Sequence, residues 1–168
     1  MDWQDINSGI DYLVEQGIAD PDRIGFAGGS YGGYMTAWAV TQTDRLKAAV
    51  MSAGISDWRS FHGNSRLSGW EVIHYGGSRS TDVLELWERF SPINYLDNDT
   101  TPTLIVHGEK DLDVPVEQAY AFYRALKDRG VETELVVYPR GGHGIKERSH
   151  NLDKTRRSVE WLVDRLIP

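Results

Sequence analysis

A chain of 168 residues with 40% apolar and 26% charged side chains is one domain's worth of globular polypeptide, and no apolar run approaches the length needed to cross a bilayer. A formal charge of −7 argues against nucleic acid, whose phosphates require clustered Lys and Arg, and the one dense basic stretch, residues 146–157, is broken by acids and apolar residues into a solvated helix face. The absence of cysteine excludes disulfides, thiolate metal sites and cysteine nucleophiles, and with nothing at the start that reads as a signal peptide the cytoplasm is the expected compartment.

In chain order, Ile6, Ile10, Leu13 and Val14 fall at helical spacing and predict an amphipathic helix over residues 3–16, stopped at Gly17. Asp20-Pro21-Asp22 turns the chain into a short apolar strand at 24–27. A glycine cluster follows, then a second helix with Tyr34, Met35, Trp38 and Ala39 on one face. Residues 48–53, 103–107 and 134–138 read as three more strands. Between the last two, Ala119, Tyr120, Tyr123 and Leu126 mark the inner face of a helix over 116–129. A final helix carries Leu152, Val159, Leu162, Val163 and Leu166. Residues 54–98 are weak in periodicity and read as a pocket wall or lid with a short helix at 82–89. Short continuous apolar strands alternating with helices predict about four parallel strands covered on both faces, in one α/β domain.

Gly28-Gly29-Ser30-Tyr31-Gly32 matches G-x-S-x-G between a predicted strand and a predicted helix, the setting of a nucleophile elbow. Neither a dinucleotide fingerprint nor a P-loop is present, so a phosphate-binding glycine turn has little support. A serine hydroxyl needs a base to take its proton and an acid to orient that base. The loop after the third strand supplies carboxylates at Glu109, Asp111 and Asp113, and the loop after the fourth places His143 among Gly141, Gly142 and Gly144. The chain order Ser, Asp, His is that of an α/β-hydrolase. His62, His74, His107 and His150 lack such positions and read as loop, pocket or packing residues, and no pair of them suggests a metal site.

The stretches "GIADPDRIGFAGGSYGGYMTAWAV", "TPTLIVHGEKDLDVPVEQ" and "VVYPRGGHGI" resemble the catalytic domain of the prolyl oligopeptidase family of serine peptidases, near its acylaminoacyl-peptidase and dipeptidyl-peptidase branches. The resemblance implies Ser30 as nucleophile, His143 as base and, as the first Asp of D-x-x-V-P, Asp111 as the acid. It also implies an apolar substrate pocket formed by Ile55, Trp58 and Phe61 of "ISDWRSF" with Val114; ordinary core packing is the alternative. The backbone N–H of Tyr31 is the expected oxyanion donor. No organic cofactor and no metal is required.

The resemblance covers the C-terminal half of an α/β-hydrolase domain, without the early strands, the loop that donates a second oxyanion hydrogen bond, or a β-propeller. The expected function is therefore a serine peptidase acting on peptide or acyl-aminoacyl bonds, with a carboxylesterase or an inactive partial domain as alternatives. Expected partners are a peptide or small ester substrate, and either a second copy or an N-terminal part of the same protein, because the strand at 24–27 would otherwise leave one edge unpaired. Neither nucleic acid nor membrane is expected.

Overall fold

The computed structural model describes residues 2–67, 69, 81–98 and 100–167. His74 lies outside the described residues. Four strands, β1 (Ile24–Gly29), β2 (Leu46–Ser52), β3 (Thr103–Gly108) and β4 (Thr133–Tyr138), form one parallel sheet whose spatial order is its chain order. The inner strands β2 and β3 are almost wholly buried, which is why they read as continuous apolar runs. The edge strand β1 leaves Ala27 and Gly29 exposed.

Among the described residues the helices are α1 (Asp2–Glu15), α2 (Tyr31–Gln42), α3 (Trp58–Asn64), α4 (Thr81–Arg89), α5 (Glu117–Asp128) and α6 (Arg148–Leu166). A 3-10 segment, Pro92–Asn98, precedes β3. One face of the sheet is covered by α2, α5 and the 3-10 segment, which bury Ala37, Val40, Leu96, Phe122 and Leu126 against Ala49, Met51 and Ile105. The opposite face is covered by α6, whose Trp161 packs with Val50, Leu104 and Val106. The Arg165 guanidinium stacks on that indole at 3.5 Å. No described helix is long and apolar enough to cross a membrane.

Where the sequence reading set bounds, strands and helices agree with them to within two residues, but several helix faces differ. In α5 the buried side chains are Gln118, Ala119, Phe122 and Leu126, whereas Tyr120 is exposed. The cause is Gln118, whose side-chain carbonyl oxygen accepts hydrogen bonds from the N–H groups of Ser56 and Asp57, both at 2.9 Å, and so fixes the rotation of the helix. In α6 the expected stripe holds only in part: Leu162 and Leu166 turn inward beside Trp161, whereas Leu152, Val159 and Val163 are exposed. Leu162 and Leu166 fit the space that Gly25 leaves on β1, where a Cβ would lie 2.7 Å from Leu166 Cδ1. In α1 only Ile6, Ile10 and Val14 of the expected face are partly buried, and Leu13 is exposed. Helix α2 is buried nearly all round rather than on one face. Within the aperiodic region, α3 begins at Asp57, whose carboxylate accepts from the N–H groups of Arg59 and Ser60 as a helix cap does.

Candidate active site

The turn between β1 and α2 holds Ser30 at φ 58°, ψ −120°, the conformation of the first central residue of a type II′ turn and one that L-residues rarely adopt. Its N–H donates to Ser52 O at 3.0 Å, and its carbonyl accepts from Tyr34 N–H at 2.9 Å, so both sides of the strained residue are tied down. The glycines make the turn possible: a Cβ on Gly28 would lie 2.3 Å from Gly32 O. Gly28→Ala must therefore push the elbow open and is expected to destabilise the fold by about 1–3 kcal/mol. Urea unfolding of the variant beside the parent chain checks this.

Two loops meet over Ser30. The Lys110 N–H donates to Gly141 O at 2.7 Å and the Glu109 N–H to Tyr138 O at 3.0 Å, which fastens the loop after β3 to the loop after β4. Gly108 permits that approach, since a Cβ there would lie 2.3 Å from Gly142 O. Of the three candidate carboxylates, Asp111 is the one turned inward. Glu109 accepts from the Arg140 N–H, and Asp113 is held by the Arg66 guanidinium. The Asp111 Oδ1 accepts from the N–H groups of Asp113 at 2.9 Å and Val114 at 3.0 Å. Its Oδ2 lies 2.8 Å from His143 Nδ1, and His143 Nε2 lies 2.9 Å from Ser30 Oγ.

A carboxylate can only accept, so His143 carries its hydrogen on Nδ1 and offers the Nε2 lone pair to the Ser30 hydroxyl. Burial works against ionisation of Asp111, yet the hydrogen bonds from His107, the Val114 N–H and His143 outweigh it and hold the carboxyl below the usual Asp range. Asp111, Asp113 and His143 are close enough to share a cation, but both oxygens of Asp111 already accept hydrogen bonds from the protein. Tyr31 heads α2, so its N–H sits at the helix's positive end, one residue beyond Ser30. Burial, reinforced by a 2.5 Å hydrogen bond to Asp2, pushes the Tyr31 phenol upward.

Ile55, Trp58, Phe61 and Val114, expected to wall a substrate pocket, are core in the structure, each 4% exposed or less. They pack in one cluster with Tyr34, Met35, Val83 and Trp87. The reason is local: the Asp57 cap and a 2.9 Å hydrogen bond from Trp58 N–H to Ser91 Oγ turn the Trp58 and Phe61 rings inward. A cleft of about 520 Å³ does open beside His143, and none of these four side chains lines it. Its wall carries Arg66, Lys110, Arg140 and Lys146 against Asp113 and Glu147, a basic lining in an acidic protein.

Sequence reasoning missed three residues that hold the acid and its loop. His107, read as a loop, pocket or packing residue, is fully buried and lies 3.4 Å from Asp111 Oδ2. Ser65 and Arg66, at the end of α3, grip the acid loop through Ser65 Oγ to Asp113 O at 2.5 Å and Arg66 N–H to Leu112 O at 2.9 Å. The His107–Asp111 spacing of four residues was visible, but its meaning depended on how the loop folds back.

The chain as a whole has counterparts among known proteins. An uncharacterized peptidase, YuxL, of Bacillus subtilis is 41% identical over 161 residues, 93% of this chain and 24% of its own. An acylamino-acid-releasing enzyme of Arabidopsis thaliana is 34% identical over 169 residues, 96% of this chain and 22% of its own. The acylaminoacyl peptidase of Pyrococcus horikoshii superposes with a TM-score of 0.88 at 35% identity, covering 98% of this chain and 28% of that one. A puromycin-hydrolyzing peptidase of Mycobacterium tuberculosis superposes with a TM-score of 0.91 at 29% identity, covering 99% and 25%. This chain thus has the fold of α/β-hydrolase peptidases and spans about a quarter of the length of these relatives. The sequence pattern of one family matches residues 1–167, and with it the chain belongs to the prolyl oligopeptidase family of serine peptidases.

Proposed function

We propose that Ser30, His143 and Asp111 cleave acyl-aminoacyl or peptide bonds through an acyl-enzyme. The observation that carries this is the unbroken path of 2.9 Å and 2.8 Å contacts from Ser30 Oγ through the imidazole to Asp111. In this reading the Ser30 oxygen attacks the carbonyl carbon while His143 Nε2 takes the hydroxyl proton. The oxyanion is met by the Tyr31 N–H, and the imidazolium returns the proton to the departing amine. Water repeats the cycle and frees Ser30. The acylaminoacyl peptidases among the relatives support the choice of substrate class.

A second oxyanion donor would come from polypeptide packed along the outer edge of β1, either a further segment or a second copy. Its loss typically lowers turnover by about 10²–10³. The isolated chain is therefore expected to react with a fluorophosphonate at Ser30 and to turn over p-nitrophenyl esters better than aminoacyl anilides, whose amine needs more help to leave. Mass spectrometry of the labelled peptide and both rates in parallel check this; failure of Ser30 to label overturns the reading.

A further inference from the structure

His107 is an unusual choice for a position with no exposure. It lies near the end of β3 on the same face as Ile105, beneath the acid loop. Its Nε2 is 2.8 Å from Val114 O and 3.4 Å from Asp111 Oδ2. Both are acceptors, so Nε2 carries a hydrogen, bonded to Val114 O with Asp111 Oδ2 close beside it. Its Nδ1 is buried with no hydrogen-bond partner among the described residues. A ring kept only to fill space would leave no lone pair unmet there, and phenylalanine would serve better.

We propose that His107 is a positioning residue for the catalytic acid: its Nε2–H grips the Asp111–Val114 turn and gives Asp111 Oδ2 a second side-chain donor beside His143. The inference rests on the function proposed above. Val114 is held at both backbone ends, its N–H donating to Asp111 Oδ1 at 3.0 Å and its carbonyl accepting from His107. Oδ2 is thus aimed from two directions and cannot swing away from His143. A second donor to one carboxylate oxygen also lowers the oxygen's own affinity for a proton, which keeps Asp111 ionised and the His143 hydrogen on Nδ1. The charged and titratable groups facing Asp111 are His107 from β3, His143 from the loop before α6 and, further out, Asp113 with Arg66.

The test compares the full chain with its His107→Gln, His107→Phe and His107→Leu variants. Glutamine places an N–H near the Nε2 position, whereas phenylalanine and leucine fill space only. The Asp111 carboxyl carbon is followed by NMR across an acid titration, and Ser30 labelling by a fluorophosphonate is timed against pH. In His107→Phe and His107→Leu, Asp111 should take up its proton about one pH unit higher. Labelling near neutrality should fall about tenfold as the carboxylate loses its aim on His143. In His107→Gln both quantities should stay near those of the parent. An unmoved Asp111 titration in a folded His107→Phe or His107→Leu chain, or equal shifts in all three variants, overturns the proposal. Ring nitrogen shifts in the parent chain supply a check that needs no variant: His107 must be protonated on Nε2, and a hydrogen on Nδ1 instead overturns it. If the parent chain fails to label at all, the reading of Ser30 falls, while the Asp111 titration still decides the role of His107.

Discussion

Ser30→Ala is expected to eliminate fluorophosphonate labelling and to lower hydrolysis by at least about 10³-fold, since the attacking oxygen is lost with the hydroxyl. The fold should survive. The Ser30 hydroxyl bonds to His143, caps no helix N–H, and sits on a backbone anchored to Ser52 and Tyr34. Ser30→Gly makes the sharper comparison. A residue other than glycine held at φ 58°, ψ −120° costs about 1–3 kcal/mol, and glycine removes that strain while adding freedom to the unfolded chain. We expect the glycine variant to be as inactive as the alanine variant yet at least as stable as the parent. Melting curves with labelling on the same samples check both halves; a Ser30→Gly chain clearly less stable than Ser30→Ala would show that the elbow is not strained.

Asp111→Asn should cost about 10⁴-fold in turnover. The hydrogen bonds around the carboxylate explain why the amide is worse than a neutral acid. Oδ1 accepts two backbone N–H groups, so an asparagine must keep its carbonyl oxygen there and turn its NH₂ toward His143. A donor facing Nδ1 forces the imidazole hydrogen onto Nε2, and the ring can then no longer accept the Ser30 proton. Asp113→Asn should do far less, because Asp113 turns to the Arg66 guanidinium instead of the imidazole. Steady-state kinetics on the two variants ranks them, and the reverse order would move the acid by two residues.

Acid sensitivity offers a second readout of Asp111→Asn. The folded Asp111 carboxyl lies below the ordinary Asp range, so ionised Asp111 stabilises the fold. That contribution is complete above the unfolded value and is lost as pH falls through the folded one. The stability gap between parent and variant should therefore narrow below about pH 4.

The strands were legible because β2 and β3 are buried on both faces, and a continuous apolar run of strand length, bounded by turn residues, suits little else in an α/β domain. The elbow was legible because only glycine fits at Gly28, and the histidine because Gly141 and Gly142 lie where two loops must touch. Helix faces were less legible. Tyr120 and Phe122 are both aromatic, and which one turns inward was decided by the hydrogen bonds of Gln118 to a loop about sixty residues away. The same limit applied to Trp58 and Phe61, where aromatic residues near a nucleophile suit a pocket and a core equally, and the Asp57 cap made the choice. His107 escaped notice because a buried donor can be recognised only once its acceptors are placed.

The sheet's order has a consequence for how the site around Ser30 comes together. Because each strand pairs with its neighbour in the chain, β1 to β4 can be laid down one after another as polypeptide is synthesised. The groups proposed to activate Ser30 do not follow that order. His143 stands 113 residues from Ser30, in the loop that leads into α6, and α6 is the element whose Leu162 and Leu166 reach back to Gly25 on β1. Contact between β1 and α6 thus closes the chain on itself around the turn that holds Ser30, while the loops after β3 and β4 bring the imidazole to the hydroxyl. In the function proposed above, a chain that stops short of His143 would carry an inert alcohol, and Ser30 would gain its base only after the segment that follows β4 has been made and folded.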